Sequence, residues 1–153
     1  MRVGDPAPNF TLRDNDGVER ALADFVAKGP VALFFYPAAT SAGCTRETCH
    51  FRDLASEFAA LGASRVGISM DSVDKQAVFA KNNHLDYPLL SDVDGAVARL
   101  YGVKRALDVL RVRRTTFVID ASRVVREIIT SELSMNVHAD RALAAIRPLI
   151  SQR

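Results

Sequence analysis

The longest unbroken apolar run of the chain is Val31-Ala-Leu-Phe-Phe-Tyr36, and its lack of alternation predicts a strand covered on both faces. Upstream the pattern alternates. Phe10, Leu12 and Val18 flank the turn signal Asp14-Asn-Asp-Gly17, which predicts an N-terminal β-hairpin. Leu22, Phe25 and Val26 predict one short helical turn, closed by Gly29-Pro30. After the apolar run, Phe51, Leu54, Ala55, Phe58 and Leu61 recur at intervals of three and four. That spacing predicts one amphipathic helix from Cys44 to Leu61, stopped by Gly62.

Arg65 to Met70 reads as another buried strand, and Asp71 and Ser72 as caps of a helix carrying Ala77, Val78 and Ala80. Tyr87-Pro-Leu-Leu90 predicts a short extended piece, and Asp92-Val-Asp-Gly95 precedes a helix through Leu100 that Gly102 ends. Residues 104–113 form an Arg-rich stretch with no period, predicting a loop. Thr115–Asp120 and Val124–Ile129 predict a second hairpin around Ala121-Ser-Arg123, and residues 138–150 a closing helix with Ala142, Leu143, Ile146 and Leu149 on one face. Parallel crossovers mixed with a terminal hairpin predict one three-layer α/β domain over 1–153: a mixed central sheet, helices on both faces and an N-terminal β-hairpin.

Composition narrows the partners. Apolar and charged fractions of 48% and 25% are those of a globular protein, and the net charge of +2 is spread rather than gathered into a stripe. A nucleic-acid partner is therefore not expected. No apolar run is long enough to cross a bilayer, and the N-terminal residues contain no apolar signal core, so the expected location is the cytoplasm. In that reducing compartment two cysteines point to catalysis or metal binding rather than to a structural staple.

The two cysteines, Cys44 and Cys49, sit five residues apart where the small-residue loop after Pro37 gives way to a helix. A helix N-terminus presents unpaired N–H groups and a partial positive charge. Both favour the thiolate, the reactive form of cysteine. A free thiol near pKa 8.5 is only a few per cent ionised at neutral pH, and bringing one to about 6 takes about 3.4 kcal/mol. A helix terminus supplies about 1–2 kcal/mol of that. The remainder calls for a fixed cation, and Arg113 and Arg114, just before the 115–120 strand, are the candidates if that strand neighbours 31–36. On an intact helix, positions 44 and 49 lie about 7.5 Å apart along the axis, with Cα atoms about 8–9 Å apart. A disulfide accepts up to about 7 Å, so a Cys44–Cys49 bond would require the first turns to unwind.

Pro37-x-x-x-Ser41-x-x-Cys44 resembles the P-x-x-x-(T/S)-x-x-C signature of the peroxiredoxins. Gly4-Asp-x-Ala-Pro-x-Phe10, Phe34-Phe-Tyr-Pro, Gly43-Cys-Thr45, the second cysteine at plus five, Ser91-Asp92 and Arg114-Thr-Thr-Phe-Val-Ile-Asp120 extend the likeness. They are similar to the bacterioferritin comigratory protein, or PrxQ, group over nearly the whole chain. The resemblance implies a thioredoxin-like fold and thiol-dependent reduction of hydroperoxides. Cys44 takes the peroxidatic place and Cys49 the resolving place; Pro37, Ser41 and Arg114 take the pocket places, and Glu47 a place that often bonds the Arg. It also implies a thioredoxin-type dithiol reductant, with no metal and no organic cofactor. Two departures stand out: Ser41 where the group more often has Thr, and Ala42 where many members have Pro. Thr40 supplies a hydroxyl if the loop register differs.

Other readings weighed against this one are a zinc site on Cys44, Cys49 and His50, which lacks paired ligands, and a disulfide oxidoreductase, which lacks C-x-x-C. A peroxide sensor relaying its disulfide to a partner uses the same residues. Asp14-x-Asp16-Gly17 and Asp92-x-Asp94-Gly95 lack the remaining ligands of a calcium loop and read as turns. His84 and His138 read as surface or capping residues. A monomer is expected, with a homodimer as the alternative.

Overall fold

The computed structural model describes residues 1–39, 41–105 and 111–151. Thr40 and residues 106–110 of the Arg-rich stretch lie outside the described residues. The elements follow as β1 (Thr11–Asp14), β2 (Glu19–Ala21), α1 (Leu22–Val26), β3 (Val31–Phe35), α2 (Ala42–Asp53), α3 (Ala55–Ala60) and β4 (Ser64–Ser69). The chain continues through α4 (Val73–Asn82), β5 (Leu89–Ser91), α5 (Ala96–Leu100), β6 (Thr115–Ile119), β7 (Val125–Thr130) and α6 (Asn136–Ser151).

The strands form one mixed sheet in the order β2-β1-β5-β4-β3-β6-β7. β3 pairs parallel with β4 and antiparallel with β6, so it is a central strand, as its continuous apolar run requires. Its side chains alternate between two cores. Val31, Leu33 and Phe35 join Leu22, Phe25, Val97 and Tyr101 on one face. Ala32 and Phe34 join Cys44, Phe51, Phe79, Ala139 and Leu143 on the other. α1 and α5 thus cover one face, and α2, α3, α4 and α6 the other. Both hairpins, the short first helix and the three-layer plan appear as the pattern predicts.

Three expectations are corrected. The helix predicted over 44–61 is two helices, with a break at Leu54 (φ −95°, ψ 20°). There the Phe51 carbonyl accepts from Arg65 Nη1 at 3.0 Å, a side-chain intrusion of the kind that bends a helix ladder. Asp71 does not cap α4; Ser72 does, its Oγ accepting from the Lys75 amide, while Asp71 is buried and bonded elsewhere. Val78 faces solvent, and α4 buries Gln76, Phe79 and Ala80 instead. Among the described residues no helix is long and apolar enough to cross a membrane.

Candidate active site

β3 delivers the chain to a buried Tyr36 and Pro37, and the loop that follows is fixed from two directions. The Ala39 amide donates to Asp71 Oδ2 at 2.7 Å, and the Ser69 hydroxyl donates to the same oxygen. Ser41 then caps α2. Its Oγ accepts from the Cys44 amide at 3.2 Å and donates to the Ala38 carbonyl at 3.2 Å. Cys44 is therefore the third residue of α2, inside the positive first turn, and it is fully buried. Ser41 is thus occupied with the cap.

The cation comes from β6. Antiparallel pairing of β3 and β6 sets Phe35 opposite Thr115, which brings the residue before Thr115 alongside the end of β3. That residue is Arg114, whose Nη2 donates to Cys44 Sγ at 3.2 Å. Arg113, the neighbouring candidate, is exposed. Glu132 Oε1 accepts from the Arg114 amide at 3.2 Å and from Arg105 Nη2 at 2.6 Å, tying the strand entrance to the loop after β7. Gly43 allows a close approach: a Cβ there would stand 3.3 Å from Arg114 Nη2 and 3.4 Å from Met135 Sδ, so those side chains would have to give by a few tenths of an ångström.

Behind the guanidinium lies a buried polar layer that is only partly legible in the sequence. Glu47, one turn after Cys44, is fully buried, with Oε2 3.5 Å from Arg114 Nη1. The same oxygen is 3.5 Å from His138 Nε2. Burial pushes the Glu47 carboxyl up to about 8, and Arg114 only partly offsets this. His138, expected at the surface, is wholly buried on α6, bonded to Thr116 Oγ1 at 2.8 Å and to the Ser131 carbonyl at 2.9 Å. Burial lowers its pKa from the ordinary value. His84 is exposed, as expected, and His50 pairs with Asp140 of α6 at 2.8 Å. The two aspartate-rich turns behave as turns. Asp14 Oδ1 accepts from the Asp16 and Val18 amides, and Asp92 from the Val97 and Ala98 amides.

The structure thus brings Ser41, Gly43, Cys44, Glu47 and Arg114 together; Pro37 is buried at the start of the loop that leads to Ser41, and Thr40 lies outside the described residues. Cys49 stands apart, half-buried, its Sγ 3.7 Å from Asn83 Oδ1 at the end of α4. Both thiols are free, and α2 runs unbroken through them, the arrangement in which helix geometry forbids their bond. Glu132 carries no signal in the sequence, and Asp71 and His138 read there as a helix cap and as a surface or capping residue. Each acts across a strand pairing or helix packing, and nothing local to these residues announces it.

Comparison with known proteins decides the family. The AhpC/TSA family model matches residues 3–128. The chain belongs to the peroxiredoxin family. It is 56% identical to the crystal structure of peroxidoxin BcpB from Mycobacterium tuberculosis, with a TM-score of 0.93 and coverage of 97% of this chain and 98% of that one. A chloroplastic peroxiredoxin Q of Populus jackii is 37% identical over 149 residues, 97% of this chain and 70% of that protein. The bacterioferritin comigratory protein of Xanthomonas campestris superposes with a TM-score of 0.84 at 29% identity, covering 92% of each chain. The fold is the thioredoxin-like peroxiredoxin fold that the motifs imply, and membership makes the chain a thiol peroxidase.

Proposed function

We propose that Cys44 is the peroxidatic nucleophile, acting on hydrogen peroxide and organic hydroperoxides, and that Cys49 resolves its oxidised form. The Cys44 thiolate attacks the terminal oxygen of ROOH: an S–O bond forms, the O–O bond breaks, and the sulfur becomes a sulfenic acid. The oxygen that leaves takes a proton and departs as water or an alcohol. Arg114 stabilises the attacking sulfur and then the negative charge developing on the leaving oxygen. Pro37 walls the pocket, Ser41 holds the loop against α2, and Gly43 leaves room for the guanidinium. The single observation that supports this best is the Arg114 Nη2 contact to Cys44 Sγ at 3.2 Å, within the first turn of α2.

The sulfenic acid then condenses with the Cys49 thiol, forming the S–S bond and releasing water, once α2 unwinds locally. An external dithiol of the thioredoxin type takes up the disulfide and returns both thiols. A reducing compartment such as the cytoplasm is the setting proposed for this cycle, because it keeps both thiols available between turnovers. The Xanthomonas protein has alkyl peroxide reduction activity, which supports organic hydroperoxides as substrates here.

The test is mass spectrometry after one equivalent of peroxide. Wild type should lose two hydrogens and yield a linked Cys44–Cys49 peptide. Cys49→Ser should gain one oxygen on Cys44, and Cys44→Ser should consume no peroxide. Peroxide consumption by Cys44→Ser would remove Cys44 from its role, and unimpaired thioredoxin recycling of Cys49→Ser would remove Cys49.

A further inference from the structure

The Arg114 guanidinium is the centre of a buried cluster in which one cation faces two acids. Nη2 contacts the Cys44 sulfur at 3.2 Å and Nη1 stands 3.5 Å from Glu47 Oε2. Glu47 has no solvent exposure, and among the described residues neither of its carboxyl oxygens has a hydrogen-bond partner. An ionised carboxylate in that position would be poorly compensated, because desolvation disfavours charge and the nearest cation is shared.

The other neighbours do not supply a second cation. His138, from α6, points Nε2 at the Ser131 carbonyl, which only accepts. Nε2 therefore carries the hydrogen, and Nδ1 accepts from the Thr116 hydroxyl. Both ring nitrogens are satisfied by the uncharged imidazole, and burial disfavours its cation. Glu132, from the loop after β7, adds negative charge on the Arg114 side. Tyr87, before β5, donates its hydroxyl to the Thr48 carbonyl and brings no charge. Arg141, further along α6, pairs with Glu127 on β7.

We propose that Glu47 is a positioning residue that keeps the proton of this cluster, so that Arg114 faces one anion, the Cys44 sulfur, beside a neutral carboxylic acid. The proposal deepens the peroxidase reading, on which its kinetic consequence rests. Between two acids and one guanidinium, ionising the thiol moves no net charge into the core if the carboxyl takes up the proton that the sulfur releases. The raised Glu47 titration, near 8, fits that division. When the carboxyl finally ionises, a second anion competes for the guanidinium, which then stabilises the departing oxygen less well.

Carbon-13 labelling of the glutamate carboxyls tests this in the wild-type protein. Of the five glutamate carboxyl resonances, one should move near pH 8, and Glu47→Gln should delete that one. The second-order rate constant with hydrogen peroxide should fall about threefold to tenfold in step with that titration. In Glu47→Gln the alkaline fall should disappear. No glutamate resonance moving near pH 8, or an alkaline fall that persists in Glu47→Gln, would overturn the proposal. Should Glu47→Gln fail to fold, the wild-type resonances decide it alone. A resonance near pH 8 in a chain that does not react with peroxide would sink the peroxidase reading and leave the proton on Glu47.

Discussion

Arg114 ties the chemistry of the sulfur to the fold of the strand that carries it. Arg114→Ala removes the only donor side chain bonded to Cys44 Sγ among the described residues. It should lower the thiolate fraction at pH 7, read by thiolate absorbance, and cut the peroxide rate constant by about 100-fold. Arg113→Ala, at an exposed position, should change neither. Gly43→Ala puts a methyl group 3.3 Å from Arg114 Nη2 and should lower the rate by about threefold to tenfold without unfolding the chain. Glu47 also sets a sign for stability. Its carboxyl keeps the proton to about 8 when folded, against an ordinary value of 4.5, so between those limits the folded state binds the extra proton. Stability should therefore fall as pH rises from 4.5 towards 8, and Glu47→Gln should flatten that slope in denaturant titrations. Pro37, Ser41 and Cys44, the proposed nucleophile, can be picked out of the sequence because loop, cap and thiol are contiguous. His138 and Asp71 are not. A histidine in a helix carries no mark of the Thr116 hydroxyl that meets it, and an aspartate before a helix looks like a cap until Ala39 claims it.

At the scale of elements, α2 carries both thiols and must yield for them to meet. Its C-terminal half is held from outside. Tyr87 donates to the Thr48 carbonyl at 2.6 Å, Arg65 to the Phe51 carbonyl at 3.0 Å, and Arg52 Nη1 to the Asn83 carbonyl at 2.6 Å. Phe51 also stacks on Phe34, with ring centroids 4.1 Å apart. These anchors flank Cys49 and oppose unwinding. Removing one hydrogen bond, as in Tyr87→Phe, costs about 1 kcal/mol of helix anchoring. It should speed Cys44–Cys49 bond formation about fivefold in rapid-quench mass spectrometry. The break between α2 and α3 shows where periodicity stops being informative. Phe51 and Phe58 keep one continuous apolar stripe, and the interruption at Leu54 comes with Arg65, a residue of the next strand.

At the scale of the molecule, a strand buried on both sides divides the core in two and places the loop after it. Phe34, fully buried on β3, packs against the helix that carries Cys44. Phe34→Ala should cost about 3–5 kcal/mol by chemical denaturation. The layered plan follows from the order of strands and helices, which the hydrophobic pattern reveals. The antiparallel return of β6 beside β3 does not, because register is a long-range outcome.

That return has a consequence for the life of the chain. The sulfur and its guanidinium are separated by 70 residues of sequence, so their encounter waits on closure of a long loop. On the proposed mechanism, a ribosome-bound or half-assembled molecule lacks the pairing that would activate its sulfur. Oxidant sensitivity would then arrive only with the finished sheet, and vanish again from any molecule that has come undone.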